Sequence, residues 1–263
     1  MVLLTISMRS SRCTPGRKLS NLRLDPPRFG GLRPPRTGGS IRKGHTKMTM
    51  RLLSVNVGQP RQVVWKGRTV TTGIFKEPVA GRVPLRQHNL DGDAQADVSV
   101  HGGPSKAVYL YPAEHYVAWR QELPDMALPW GMFGENFTTE GTLEATMHIG
   151  DRLRIGTAVV RVTEPRMPCY KLGLRFGRDD ILKRFLASGR TGLYVAVEHA
   201  GEVEAGETFT LLSRDNHGVT VADITRVYAY EKDDIDTMQR LVQLPDLSAP
   251  WREYFQEQLH KRG

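Results

Sequence analysis

The chain has 263 residues, of which 39% are hydrophobic, and a formal net charge of +9. This length and composition are sufficient for an ordinary globular core. No apolar run approaches the roughly 18 to 20 residues of a membrane-spanning helix, so no membrane association is predicted. The positive charge is concentrated in residues 1–47, which hold eleven basic residues and one acidic residue. The rest of the chain carries 26 basic and 27 acidic residues, a net charge of −1. A nearly neutral body gives no general electrostatic reason to bind nucleic acid, and none is predicted as a partner.

The basic segment 1–47 is rich in Pro, Gly, Ser and Arg and has few large apolar side chains. Such a segment buries too little surface to offset its chain entropy, so we expect it to be disordered. It is interpreted as a phosphate-binding arm, an organelle transit peptide or translation from an upstream start codon. Because "MRLLSVNVG" follows Met48 and opens as a clean strand, the upstream start is favoured and the transit peptide comes second.

Cysteine is sparse, with Cys13 in the basic segment and Cys169 in the body. Two cysteines are too few for a disulfide framework and are typical of a reducing compartment. We therefore predict a cytoplasmic location, with organellar targeting by residues 1–47 as the alternative.

Short β-branched runs between Gly, Pro and Asp fill residues 50–214, among them "LLSVNV", "KAVYLY", "AVVRVTE" and "LYVAVE". Their spacing predicts a β-barrel or sandwich rather than alternating strands and helices. Two helices are expected within it. One begins at Pro112 and continues through "AEHYVAWRQEL", and the other, "DDILKRFLAS", ends at Gly189.

Residues 215–263 change to helical periodicity, with apolar side chains at steps of three or four. Breaks at "YEKDD" and "LPDLSAP" divide this part into three short helices. The aromatic stripe of Trp251, Tyr254 and Phe255 is interpreted as a face that packs on the core. The chain is thus predicted to have a basic tail (1–47), a β domain (50–214) and a three-helix module (215–263).

The stretch "HNLDGDAQADVSVHGGPSKAVYLYP" holds three aspartates with the spacing of a calcium loop. That interpretation fails, because Ala96 replaces the sixth-position glycine and Gly102 replaces the twelfth-position glutamate. "LDGD" is better explained as a tight turn in which Gly92 supplies a positive φ.

"HGGPSK" within this stretch has features of an anion-binding loop. Gly102 and Gly103 expose backbone N–H groups, His101 can donate or accept a hydrogen bond, and Lys106 follows within one turn. Such a loop can hold an oxyanion or a phosphate. The alternative is an ordinary hairpin turn, since Gly-Gly is a common turn signal.

"FGENFTTEG" places Glu135 and Asn136 at the start of a strand. Polar pairs in such a position are often hydrogen-bonded within the core, and a pocket role is equally favoured.

Cys169 lies in "TEPRMPCYKLG". Pro165 and Pro168 fix φ and lack N–H groups, so the chain must leave the sheet and form a stiff loop there. Arg166 and Lys171 flank the cysteine, and nearby positive charge favours the thiolate, which attacks or ligates. One thiolate cannot form a zinc site alone, so any metal here takes most of its ligands from a cofactor. The alternative is an inert, buried cysteine.

The motifs "VHGGPSKAVYLYPAEHY", "FGENFTTEG", "IGDRLRIG" and "EPRMPCYKL" resemble, in order and spacing, those of the MOSC-domain family, most closely its YiiM-like branch. The resemblance covers nearly all of residues 50–260. It implies a mainly β fold, in which a MOSC β-barrel-like domain with a few helices is followed by a three-helix extension.

The resemblance also implies binding of the molybdenum cofactor, with Cys169 supplying a thiolate to molybdenum. The cofactor pocket would be lined by His101, Gly102, Gly103, Lys106, Asn136, Arg166 and Lys171.

The implied reaction is two-electron reduction of N-hydroxylated compounds, such as 6-N-hydroxylaminopurine, to the amine and water. Asp93 or Glu135 is the candidate acid that delivers protons. The body has no Fe–S cysteine pattern and no dinucleotide-binding fingerprint, so a separate reductase is the expected electron donor. The alternative function is a non-catalytic carrier of the cofactor or of sulfur.

Overall fold

Residues 49–97 and 102–262 are described by a computed structural model. The predicted basic tail and His101 lie outside these residues. The strands are β1 (Met50–Val57), β2 (Arg61–Trp65), β3 (Arg68–Thr72), β4 (Glu77–Val79), β5 (Val83–Leu85), β6 (Val108–Pro112), β7 (Phe137–Glu140), β8 (Arg152–Ile155), β9 (Ala158–Pro165), β10 (Leu193–His199), β11 (Gly201–Val203) and β12 (Thr208–Ser213). The α-helices are α1 (Ala113–Glu122), α2 (Tyr170–Phe176), α3 (Ile181–Ser188), α4 (Val221–Ala229), α5 (Ile235–Gln243) and α6 (Ala249–His260), and Pro104–Lys106 forms a 3-10 helix.

Seven strands close into a barrel in the order β12-β8-β9-β10-β6-β7-β1, with β12 pairing back onto β1, and β4 extends the sheet beyond β1. Neighbouring barrel strands are antiparallel except β6 and β7, which are parallel and are connected through α1. A parallel pair needs such a crossover, because a tight turn cannot return the chain to the same end. The predicted mainly β, barrel-like fold is confirmed.

The barrel interior is filled by one face of each strand. On β9, for example, Ala158, Val160 and Val162 are fully buried, whereas Arg161 between them points outward to Glu198. This period of two places the β-branched residues in the core and the charged ones at the surface.

The two helices predicted within the barrel are present as α1 and α3, and α3 ends at Gly189 with φ 67°. The turn predicted at "LDGD" is also present, with Gly92 at φ 84°.

Helices α4, α5 and α6 form the predicted three-helix module. Helix α4 begins with a capping box, in which the Thr220 hydroxyl accepts from the Asp223 N–H and the Asp223 carboxylate accepts from the Thr220 N–H. Trp251 and Phe255 are buried and belong to the same apolar core as the barrel side chains. The aromatic stripe therefore packs on the core, as predicted, and the module is docked on the barrel.

Helix α2 was not predicted. Its sequence "YKLGLRF" alternates apolar and polar residues like a strand and has a glycine in the middle. The helix forms because Leu172 and Phe176, four residues apart, both enter a second apolar cluster built mainly from aromatic side chains. Gly177, at φ 67°, then ends it.

Strands β2 and β3 form a separate hairpin. Within the described part of the chain, no helix is both long and apolar enough to cross a membrane.

Candidate functional site

A cleft opens where the end of β3, strands β6 and β10 and the start of α2 come together. It holds about 580 Å³ of empty space, which includes open solvent at its mouth. Its walls are formed by Thr72, Gly73, Ile74, Lys76, Ala94, Gln95, Ala96, Lys106, Tyr109, Gly134, Asn136, Arg166, Cys169, Lys171 and Tyr194. Five of the residues predicted to form the site therefore lie together in one cleft, although they come from three separate motifs.

Cys169 lies between a strand and a helix. Strand β9 ends at Pro165, and Cys169, in an extended conformation, is the residue that directly precedes α2. Its carbonyl accepts a hydrogen bond of 2.9 Å from the Leu172 N–H, which anchors it to the first turn. The thiol is 7% exposed and borders the cleft. The stiff connection expected from the two prolines is present, and the helix adds a second constraint.

Arg166 is a buried cation at the base of this connection. Its guanidinium lies 5.1 Å from the ring centre of Tyr109 and 5.3 Å from that of Phe185. The side chain is 6% exposed, and its Nη1 has no hydrogen-bond partner among the described residues. A buried guanidinium N–H without a partner is expensive, so this group is suited to a ligand that carries acceptor atoms. Arg166 also interacts electrostatically with Cys169, which favours the thiolate.

The described walls of the cleft hold four basic residues and no carboxylate. Two of the four are balanced from behind the wall, since Lys76 is paired with Asp93 and the Lys106 Nζ lies 3.4 Å from a Glu164 oxygen. Burial lowers the pKa of Lys76, although the Asp93 carboxylate opposes that shift. Arg166 and Lys171 form no ion pair with the described carboxylates, so they give the cleft its preference for an anion.

Asn136 both supports the barrel and lines the cleft. Its N–H donates to the Tyr109 carbonyl at 2.9 Å, and its Oδ1 accepts from the Tyr109 N–H at 3.2 Å. Its Nδ2 donates to Asp93 Oδ2 at 3.0 Å. The core and pocket interpretations of this residue are thus compatible.

Asp93 lies behind the cleft wall rather than in it. One carboxylate oxygen accepts from Lys76 and from the Gly58 N–H at 2.9 Å, and the other accepts from Asn136. Both oxygens are occupied, so the proton-donor role predicted for Asp93 has no geometric support.

Glu135 points away from the cleft, into the aromatic cluster. Its two oxygens accept four hydrogen bonds, from the Tyr116 hydroxyl, the Thr138 hydroxyl and the N–H groups of Gly131 and Phe133. Burial raises the pKa of Glu135, and the hydrogen bonds oppose that shift. The carboxylate fixes the turn before β7, and the proton-donor role predicted for it has no geometric support either.

The Glu135→Gln variant is expected to unfold at lower urea concentration than the parent, with a loss of about 1 to 3 kcal/mol. The amide NH2 of the glutamine would face one of the donor groups whose hydrogen bonds the carboxylate accepts, and that hydrogen bond would be lost. Glu140→Gln, an exposed change at the end of β7, is the matched control and is expected to alter stability by less than about 0.5 kcal/mol. A stable Glu135→Gln variant that binds cofactor but does not turn over would restore the catalytic role.

The "HGGPSK" motif ends in the 3-10 helix. Gly103 has φ 93° and its carbonyl accepts from the Lys106 N–H at 3.0 Å, which directs the Lys106 side chain to the cleft. Gly102 and Gly103 are partly buried beside it and are not among the cleft residues. His101 lies outside the described residues.

Most of the cleft wall was not predicted from the sequence, including Lys76 and Tyr194, and neither was Glu164 behind the wall. Lys76 belongs to none of the motifs, and its side chain is kept in the cleft wall by its ion pair with Asp93. Tyr194 faces Tyr109 across the β10–β6 pair, with ring centres 5.2 Å apart, and burial raises its pKa to about 12. The alternation in "LYVAVE" indicates that Tyr194 lies on the opposite face from its apolar neighbours. Glu164 precedes Pro165 in the motif that contains Cys169, and the sequence gives no separate signal for it.

The MOSC domain model matches residues 97–210, and the YiiM-like 3-alpha helix domain model matches residues 219–262. The uncharacterized protein YflK of Bacillus subtilis is 39% identical over 204 residues, which are 78% of this chain and 92% of that protein. The chain belongs to the YiiM-like family of MOSC-domain proteins. The crystal structure of YiiM from Geobacillus stearothermophilus matches with a TM-score of 0.68 and 35% identity, over 80% of this chain and 99% of that one.

A protein of Gibberella moniliformis named reductase is 33% identical to this MOSC-domain chain over 197 residues. The match spans 74% of this chain and 35% of that protein, so about two thirds of the reductase lies outside it. MOSC domains are associated in general with binding of the molybdenum cofactor. The family and this relative together suggest an enzyme.

Proposed function

We propose that this protein binds the molybdenum cofactor in the cleft and reduces N-hydroxylated compounds, such as 6-N-hydroxylaminopurine, to the amine and water. The observation that carries the proposal is the Cys169 thiol beside the unpartnered Nη1 of Arg166, in a cleft with four basic residues and no described carboxylate.

The residues of the cleft fit the chemistry of this cofactor. The cofactor is a phosphorylated pterin, hence an anion, and Arg166 and Lys171 are the two cations whose charge no described carboxylate balances. Molybdenum accepts soft sulfur ligands, and Cys169 supplies a single thiolate. The orphaned Nη1 of Arg166 is the group that a cofactor acceptor atom would satisfy.

When bound, the cofactor would supply the redox centre at which the N-hydroxyl oxygen is removed. The chain's own residues hold that centre and shape the space for the substrate. Cys169 is held between the end of β9 at Pro165 and the first turn of α2, so its backbone position is constrained and it would hold the metal from this wall. Tyr194, which is partly exposed on the cleft wall, offers a ring against which a flat purine can stack.

Electrons must come from another protein or domain under this proposal. The described body has neither an Fe–S cysteine set nor a nucleotide fingerprint. The fungal relative supports this arrangement, because its name is reductase and two thirds of it lies beyond the matched region.

The experiment is to purify the full chain from molybdate-fed cells, measure its metal content by mass spectrometry, and assay 6-N-hydroxylaminopurine with a chemical electron donor. We expect about one molybdenum per chain and stoichiometric formation of the amine. Molybdenum without turnover would favour the carrier alternative, and a protein lacking molybdenum would overturn the proposal.

A further inference from the structure

A buried carboxylate lies directly behind the cleft, between the barrel and the C-terminal module. Glu164 is on β9 and is 3% exposed. One of its oxygens lies 3.4 Å from Lys106 Nζ. The hydroxyl of Ser248, which precedes α6, interacts with the same carboxylate. A buried carboxylate needs a counter-charge, and among the described ion pairs that counter-charge is Lys106.

Lys106 is held against the cleft from two sides. The Thr163 hydroxyl donates to the Ser105 carbonyl at 2.6 Å and so ties the 3-10 helix to β9. Glu164, the next residue on that strand, faces the Lys106 ammonium. The Lys106 side chain is 20% exposed and reaches the cleft wall, whereas the Glu164 side chain is 4% exposed. Lys106 therefore lies between the cleft and the Glu164 carboxylate.

The two lysines of the cleft differ in their partners. Lys76 is paired with Asp93, whose two oxygens are fully hydrogen-bonded, so this pair is part of the barrel wall. Lys106 is more open, because its side chain is 20% exposed while that of its partner Glu164 is 4% exposed. Since Glu164 balances the charge of Lys106, this lysine is less suited than Arg166 or Lys171 to binding the anionic cofactor. Its ammonium is suited to giving a proton to a ligand in the cleft.

We propose that Lys106 is the proton donor in the cleft and that Glu164 is its positioning residue, which holds the ammonium at the cleft wall. The inference rests on the proposed function. In the reaction the N–O bond breaks, nitrogen is reduced by two electrons from the reductase, and the oxygen leaves as water. Two protons are consumed: Lys106 delivers one to the departing oxygen, and solvent supplies the other to the nitrogen. Solvent then returns that proton to Lys106, whose ammonium is again stabilised by the Glu164 carboxylate.

The electrostatic setting explains why the carboxylate is needed. Lys76, Arg166 and Lys171 line the same cleft and would oppose a further positive charge on Lys106. The ionisable groups that act with Glu164 are Lys106 from the 3-10 helix and Tyr194 from β10. Burial raises the pKa of Glu164, and Lys106 opposes that shift. At alkaline pH the carboxylate is ionised, and its effect on Lys106 is largest there.

The test is the pH dependence of lysine acylation in the full chain, followed peptide by peptide by mass spectrometry, with Glu164→Gln as the variant. The neutral amine is the reactive form. Loss of a carboxylate this close is expected to increase Lys106 acylation about tenfold at a given alkaline pH. Lys171, in the same cleft and the same sample, is the internal control and is expected to change less than about twofold.

Turnover gives the second readout. In Glu164→Gln the alkaline limb of kcat/KM is expected to move down by about one pH unit, and Glu164→Asp is expected to recover part of the shift. Equal acylation of Lys106 in the parent and Glu164→Gln would overturn the inference, as would an unmoved pH profile. If Glu164→Gln does not fold, the same comparison of acylation and turnover between the parent and Glu164→Asp decides the matter. Acylation of Lys106 is measured without turnover, so it tests the pairing with Glu164 even if the proposed reaction does not occur.

Discussion

Replacing Cys169 with alanine is expected to remove molybdenum from the purified protein and to reduce turnover of N-hydroxylated substrates below detection. Under the proposed function this thiolate is the protein's metal ligand, and the described residues offer no group of three or more His, Cys, Asp or Glu side chains that could hold a metal instead. The cations of the cleft would still attract the cofactor phosphate, but without a bond to the metal. The measurements are molybdenum per chain by mass spectrometry and the initial rate with a chemical reductant.

Cys13→Ala is the matched control, because it deletes the other thiol of the chain, in the basic segment. It is expected to keep the molybdenum content and rate of the parent. Cys169 is small and lies at the edge of the core, so its truncation is expected to lower the free energy of unfolding by about 1 kcal/mol only. Loss of metal would therefore not reflect unfolding, which urea denaturation of the same samples checks. Equal molybdenum in Cys169→Ala and the parent would exclude this cysteine as the ligand.

The barrel was predictable because its evidence is local. Each strand is a short β-branched run whose alternation reports one buried face, as on β9, and glycine or proline marks its ends. The order of the strands was not predictable in the same way. The β12–β1 pair that closes the barrel joins segments far apart in sequence, and β6 and β7 pair in parallel across the intervening helix α1. Such pairs are selected by the packing of the whole core, which no local pattern encodes.

Helix α2 illustrates a local pattern that tertiary packing overrides. Seven residues are too few to be stable as an isolated helix, and the central Gly173 weakens the helix further. Burial of Leu172 and Phe176 in the aromatic cluster supplies the missing stability. The sequence therefore predicts the proline-fixed start of this segment and misses the helix that follows Cys169.

The site residues that belong to sequence motifs were predictable, whereas those brought to the site by contacts across the barrel were not. Cys169, Arg166, Lys106 and Asn136 belong to motifs, and all four line the cleft. The proton-donor role predicted for Asp93 or Glu135 has no geometric support, because sequence spacing does not show on which face of the wall a carboxylate lies. Glu135 turns toward the aromatic cluster and Asp93 toward the back of the wall, while Glu164, which was not singled out, lies next to a cleft lysine.

The buried pair of Lys76 and Asp93 carries the largest expected effect on stability. In Asp93→Asn the shape of the side chain is kept and its charge is lost, which leaves the buried Lys76 ammonium without its ion-pair partner. Breaking a buried pair from one side typically costs about 3 to 5 kcal/mol. We expect a loss of that size in the free energy of unfolding at neutral pH, measured by urea denaturation of the full chain.

The pH dependence identifies the lysine as the source of this loss. The pKa of Lys76 is lower in the folded than in the unfolded protein, so between those two values the unfolded state binds more protons and stability rises with pH. Asp93 opposes this lowering, so in Asp93→Asn the folded-state pKa of Lys76 is lower still, and the pH range over which stability rises extends to lower pH. The free energy of unfolding of Asp93→Asn is therefore expected to rise more than that of the parent between neutral pH and about pH 10, near the unfolded pKa of lysine.

A second substitution separates lost charge from lost packing. In the double variant Asp93→Asn with Lys76→Met the buried ammonium is gone, and a side chain of similar length fills its place. Most of the lost stability is expected to return at neutral pH, and the extra rise with pH is expected to disappear. A double variant that is as unstable as Asp93→Asn alone would show that Asp93 acts through Gly58 and Asn136, the other two groups it holds, and not through the lysine.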